Sequence, residues 1–150
     1  MANGKTPALM LLELVIPPSR TFAWRPALRE ALAPRVDAEL LDDIVIATAE
    51  LIANALEHGS GEVSLTASLL SLAGIRITVT DANPKRPVAE ESDLDSIRGR
   101  GLTIVSALAS EWGVDQKASG KSVWALFAVP SDGREASARY TGAGRVQDVG

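Results

Sequence analysis

The chain has 150 residues, of which 46% are hydrophobic, and its formal net charge is −4. This length predicts one domain with a proper core, and the acidic balance disfavours a general nucleic-acid or membrane-surface binder. Cysteine is absent and His58 is the single histidine, which excludes disulfides and thiolate metal sites and disfavours a zinc site or a histidine-based triad.

No apolar run in the sequence reaches the roughly 18 residues that a membrane-spanning helix needs. Residues 1–7 are polar, and no basic region leads from them into a signal core. We therefore expect a loose N-terminus on a cytoplasmic protein.

The first predicted elements are a strand and a helix. Residues 9–16 are apolar enough for a strand, and Pro17 and Pro18 end it. A helix follows to about Ala33. Pro26 either marks the first turn of this helix or kinks it. The predicted inner face consists of Ala27, Leu28, Ala31 and Leu32.

A long amphipathic helix is predicted from about Asp37 to His58, and Gly59 is its expected C-terminal cap. Glu50 and Asn54 lie four residues apart on the edge of its apolar stripe, together with Asp43 and Glu57. An asparagine oxygen and a nearby carboxylate suit a magnesium–phosphate site. The helix alone favours the simpler interpretation, in which these polar residues form its solvated side. The stripe itself consists of Leu40, Leu41, Ile44, Val45, Ala47, Leu51, Ile52, Ala55, Leu56 and His58.

Two alternating stretches, 62–72 and 75–80, predict an antiparallel hairpin that turns near Gly74. Asp81 follows on the same side as the apolar residues of the second strand. A carboxylate at the end of an apolar row needs a donor, a ligand or water. Alternatively, the strand has already ended and Asp81 is a turn residue.

Residues 84–100 show no apolar periodicity, and loops of this length inside compact domains are often functional lids. Gly99, Arg100 and Gly101 end the loop and open a helix over 102–109. Glycines at a helix N-terminus let backbone amides reach an anion.

A second hairpin is predicted from 112–116 and 122–129, with its turn near residues 118–120. Beyond Pro130 the sequence is rich in Ser, Gly, Arg and Ala. We expect one domain over residues 1–130, followed by a flexible tail over 131–150.

The order and spacing of these short motifs resemble those of the histidine-kinase-like ATPases, the GHKL or Bergerat-fold superfamily. Within that superfamily the chain looks like the small bacterial anti-sigma-factor serine kinases, over roughly residues 9–129. The motifs are Glu50-x-x-x-Asn54-x-x-x-His58-Gly59, Asp81 at a strand end, Gly99-Arg100-Gly101-Leu102 before a helix, Trp112-Gly113, and Gly120-Lys121-Ser122-Val123-Trp124.

The resemblance implies an α/β (α+β) two-layer sandwich, with a mixed, mostly antiparallel sheet and three helices on one face. It implies ATP and Mg²⁺ as cofactors, with Asn54 holding the metal and Glu50 deprotonating the attacking hydroxyl. Asp81 would accept a hydrogen bond from the adenine amino group, and Ser122 would help it through water. The phosphate-binding lid would be Gly99, Arg100 and Gly101, and Leu102 would also belong to the cofactor-binding residues. His58 receives no chemical role.

The resemblance also implies a homodimeric serine/threonine protein kinase that regulates transcription as an anti-sigma factor. Its expected partners are a sigma factor and an anti-sigma-factor antagonist, which it would phosphorylate. The sequence departs from the superfamily's Asp-x-Gly-x-Gly pattern, because Asp81 is followed by Ala82-Asn83-Pro84-Lys85. This departure favours the alternative, an ATP-sensing module without phosphotransfer. A stand-alone histidine kinase is disfavoured, since we expect no room for a separate phosphoacceptor domain.

Overall fold

The computed structural model describes residues 8–17, 23–58, 62–70, 74–82, 102–117 and 120–130. The order of elements is the predicted strand–helix–helix–strand–strand–helix–strand–strand. The strands are β1 (Ala8–Ile16), β2 (Glu62–Leu70), β3 (Gly74–Ala82), β4 (Glu111–Lys117) and β5 (Gly120–Ala128). The helices are α1 (Trp24–Leu32), α2 (Ala38–His58) and α3 (Leu102–Leu108).

The strands form one five-stranded sheet in the order β1-β2-β3-β5-β4. This sheet and the helices confirm the expected two-layer α/β fold. One detail differs, because the sheet is antiparallel in every described pairing rather than mixed. β3 precedes α3 in the chain and β4 follows it, and the two strands run in the same direction. The antiparallel β5 lies between them, so these two parallel strands are not neighbours.

Each central strand buries one face and leaves the other partly exposed, as its alternating pattern predicts. In β2 and β3 the buried rows pair Leu65 with Val79 and Ala67 with Ile77. These apolar residues join those of the helices in one core cluster. The helices therefore cover one face of the sheet, and the other face remains accessible.

Pro26 occupies the first turn of α1, where its missing N–H costs no helical hydrogen bond. The first-turn interpretation is therefore correct, and no kink is needed. Leu28 and Leu32 are fully buried, as predicted from their spacing. Trp24 is also buried, although the sequence did not indicate it.

Asp37 caps α2, since its carboxylate accepts a hydrogen bond of 2.8 Å from the backbone N–H of Leu40. The predicted apolar stripe of α2 packs into the core, with Leu40, Ile44 and Ala47 almost inaccessible to solvent. An exposed ion pair of 3.1 Å between Arg29 and Asp42 also links α1 to α2. The burial of the stripe fixes which side of α2 faces the sheet.

Several predictions concern segments outside the described residues, namely the turn at 59–61, the loop at 84–100 and the tail at 131–150. Among the helices that the structure does describe, none is long and apolar enough to traverse a membrane.

Candidate functional site

A cavity opens between the second half of α2 and one end of the sheet. Its volume is about 280 Å³ when the open space at its mouth is included. The cavity is lined by Leu51, Asn54, Ala55, Val79, Asp81, Lys121 and Val123. Four of these seven side chains are apolar and three carry polar groups, which is the usual composition of a small-molecule site.

Asp81 lies inside β3 and is only 1% exposed. It pairs with Val63 on β2 and with Lys121 on β5, so it continues the apolar row of its strand. The interpretation of Asp81 as a turn residue is therefore wrong. The alternation of the strand did place Asp81 correctly on its apolar side, since the carboxylate lies on the core face and borders the cavity.

Lys121 is the polar residue that the sequence analysis missed. It is 5% exposed, it lines the cavity, and it lies directly opposite Asp81 in the register of β3 and β5. The alternation of β5 would have indicated it. Lys121 lies two and four residues before the buried Val123 and Ala125, and residues at even spacings in a strand share one face. The cavity thus brings a carboxylate and an ammonium group together on one face of the sheet.

Asn54 borders the cavity from α2 and is 9% exposed. Its amide nitrogen is buried and has no hydrogen-bond partner within the described ranges. A buried amide without a partner costs free energy, so a ligand that completes its hydrogen bonding would be favoured. Glu50 lies one helical turn earlier and is half-buried, but it does not line the cavity. The helix therefore places Glu50 beside the cavity and Asn54 at its wall.

Ser122 is not among the residues that line the cavity, in contrast to its expected position beside Asp81. Its hydroxyl lies 2.9 Å from that of Thr80, and either group can be the donor. Ser122 and Thr80 form a register pair on the accessible face of the sheet, opposite the helices. Because alternate residues of a strand point to opposite faces, the neighbour Lys121 occupies the position that we had assigned to Ser122.

The segment that contains the expected lid residues lies between β3 and α3 in the chain. The chain leaves β3 at Ala82, one residue beyond Asp81, and re-enters the described part at Leu102. Leu102 is 1% exposed and packs in the core at the first residue of α3, so its side chain does not line the cavity. Gly99, Arg100 and Gly101 lie outside the described residues, and their role stays a prediction.

The residues around the cavity fit the base of a nucleotide. Apolar walls suit a flat heterocycle, and the carboxylate of Asp81 can accept a hydrogen bond from an amino group. Within the described ranges, no group of three His, Cys, Asp or Glu residues is placed to hold a metal ion. Mg²⁺ at nucleotide sites uses one or two protein oxygens together with phosphates, a role that the Asn54 oxygen can fill.

Comparisons with known proteins agree with this geometry. A family model described as a histidine kinase-like ATPase domain matches residues 18–127. The fold is similar to the crystal structure of the RsbU and RsbW domains of Rv1364c from Mycobacterium tuberculosis, with a TM-score of 0.59 and 27% identity. That match covers 83% of this chain and 33% of the other, so this chain spans about a third of its length. A search of curated proteins finds no significant match.

Proposed function

Because this chain belongs to the histidine kinase-like ATPase family, we propose that it is an ATP-dependent protein serine/threonine kinase acting as an anti-sigma factor. Its protein substrate would be an anti-sigma-factor antagonist, and its regulatory target would be a sigma factor. The observation that supports the ATP site is the convergence of Asn54 and Asp81 on one apolar-walled cavity. The support for the regulatory role is the similarity to a structure containing an RsbW domain.

Each residue of the site has a separate role in this proposal. Asp81 accepts a hydrogen bond from the adenine amino group, and Asn54 holds the magnesium ion through its side-chain oxygen. When bound, Mg-ATP supplies the transferable γ-phosphoryl group. Glu50 takes the proton of the incoming serine or threonine hydroxyl, which it can reach because it lies one turn from Asn54.

Nucleotide binding is tested first, by calorimetry on the full chain with ATP and with ADP. We expect both to bind with a stoichiometry of one per chain, and more tightly with Mg²⁺ than with a chelator. If neither nucleotide binds in the presence of Mg²⁺, the ATP site is refuted.

The phosphotransfer step is tested on partner proteins captured by the chain from its native cytosol with and without ATP. We expect Glu50→Ala to bind Mg-ATP within a few-fold of wild type while losing about 10²–10⁴-fold in the rate of labelled phosphate transfer. Glu57→Ala is the matched control, because Glu57 is an exposed carboxylate on the same helix. Equal transfer by wild type and Glu50→Ala would eliminate Glu50 as the base.

The second candidate is an ATP-sensing module without phosphotransfer. It is favoured by the sequence after Asp81, where neither glycine of the superfamily pattern is present. Tight ATP binding by the wild type without phosphate transfer to any captured partner would select this candidate.

We also propose that the chain forms a homodimer. A monomeric mass in light scattering at tens of micromolar protein would refute the homodimer.

A further inference from the structure

Three polar side chains form a row across neighbouring strands at the cavity end of the sheet. Asp81 on β3 pairs with Lys121 on β5, and Lys121 pairs on its other side with Gln116 on β4. Each of the three lies two residues from a valine, and these valines (Val79, Val123 and Val114) pair with one another in the same register. Residues two apart in a strand point to the same face, so all three polar residues share the core face. The Gln116 side-chain oxygen is buried and has no hydrogen-bond partner in the described part of the chain.

The ammonium group of Lys121 can bond to more than one acceptor at once. Directly opposite residues of an antiparallel pair have Cβ atoms about 4.5–5.5 Å apart, so Lys121 has acceptor side chains on both sides. An ammonium group has three donors, and an ionised carboxylate accepts at about four lone-pair sites. Asp81 therefore keeps acceptor capacity for a ligand even with Lys121 directly opposite, and Lys121 keeps a proton for a ligand acceptor.

The cavity thus offers a ligand an acceptor and a donor side by side. Asp81 supplies the acceptor and Lys121 the donor, and both line the same space with apolar side chains around them. Adenine has the complementary pattern, since its 6-amino donor has a ring-nitrogen acceptor on each side, at N1 and N7. A buried donor discriminates strongly against a ligand that lacks its acceptor, because the donor is then left without a hydrogen bond.

We propose that Lys121 is a specificity-determining residue of this pocket, which donates a hydrogen bond to the ring nitrogen beside the amino group bound by Asp81. The inference rests on the proposed ATP site and adds a second contact to the base. Lys121 therefore contacts the ligand directly. If Lys121 only balanced the charge of Asp81, it would make no contact with the ring nitrogens of adenine.

The first experiment uses the wild-type chain and three ligands, ATP, 1-deaza-ATP and 7-deaza-ATP, which differ by one ring nitrogen. Calorimetry with Mg²⁺ present should show that one of the two analogues binds about tenfold or more weakly than ATP, the loss typical of a hydrogen bond to a charged group. If both analogues bind within about twofold of ATP, the inference is overturned while the proposed ATP site stands. If ATP itself does not bind, the proposed function and the inference fail together.

The second experiment repeats the titrations with Lys121→Met, which retains the length of the side chain without the charge. We expect weaker ATP binding and the disappearance of the difference between ATP and the discriminated analogue. Lys121→Arg should preserve a difference, because it retains a cationic donor. Ser122→Ala is the matched control, since Ser122 is adjacent in sequence but lies on the opposite face of the sheet. Undiminished discrimination by Lys121→Met would overturn the inference.

Folding is checked by thermal melting of each variant. Lys121→Met leaves the buried carboxylate of Asp81 without its cationic neighbour, which is destabilising. The double variant Asp81→Asn with Lys121→Met removes both charges. It replaces Lys121→Met in the titrations if that single variant does not fold. It should bind ATP and both deaza analogues with equal affinity, and retained discrimination would overturn the inference.

Discussion

Replacing Asp81 by asparagine is the sharpest test of how the cavity recognises a base. The substitution keeps the shape of the side chain and removes its charge. Asp81 is 1% exposed, so its hydrogen bonds form away from bulk water. A hydrogen bond to a charged group contributes about 1.5–3 kcal/mol, which corresponds to about 10- to 100-fold in affinity.

The position of Lys121 sets where in this range the result should fall. An asparagine at position 81 has one acceptor and one donor group. The ammonium of Lys121, directly opposite in register, favours an orientation with the amide oxygen toward it. The amide nitrogen then faces the ligand, where it meets the amino group of adenine, and two donors cannot bond to each other. We therefore expect the loss to lie toward the upper end of the range.

The assay is calorimetric titration of wild type and Asp81→Asn with ATP and with purine riboside triphosphate, which lacks the 6-amino group. Wild type should prefer ATP, whereas the variant should bind purine riboside triphosphate at least as tightly as ATP. Removing one charge of a buried, oppositely charged pair costs about 3–5 kcal/mol, so binding is measured well below the melting temperature of the variant. A folded Asp81→Asn that binds ATP as tightly as wild type would refute the assignment of Asp81 to the adenine amino group.

Two further predictions concern stability and are measured by urea denaturation. Gly113→Ala should destabilise the fold by about 1–3 kcal/mol, since its Cβ would lie 2.6 Å from the indole of Trp124. Gly74→Ala is the milder control, because its Cβ would meet a flexible leucine side chain at 3.2 Å; an equal cost at both glycines would contradict the steric argument. Thr48→Val should stabilise the fold by about 1 kcal/mol, since the buried Thr48 hydroxyl has no hydrogen-bond partner among the described residues. A loss of stability in Thr48→Val would show that this hydroxyl is hydrogen-bonded.

The sequence by itself determined the order of elements and most of the inner face of α1, of α2 and of the β2–β3 hairpin. Local periodicity was sufficient, because burial repeats every two residues in a strand and about every 3.6 in a helix. It also placed Asp81 on the apolar side of its strand but left open whether the strand had already ended, and the structure selects the continued apolar row. The pairing of Glu50 with Asn54 required only the pitch of α2.

Only the tertiary structure decided what lies beside Asp81. The insertion of β5 between β3 and β4 brings Lys121 opposite that carboxylate, although their sequence positions differ by 40. The same insertion keeps the parallel strands β3 and β4 from pairing with each other. Motif matching had assigned the neighbouring Ser122 to the pocket, and a shift of one residue moves a side chain to the other face of a sheet. Long-range register depends on how strands pair in three dimensions, which is why the composition of the pocket could not be predicted from the spacing of short motifs alone.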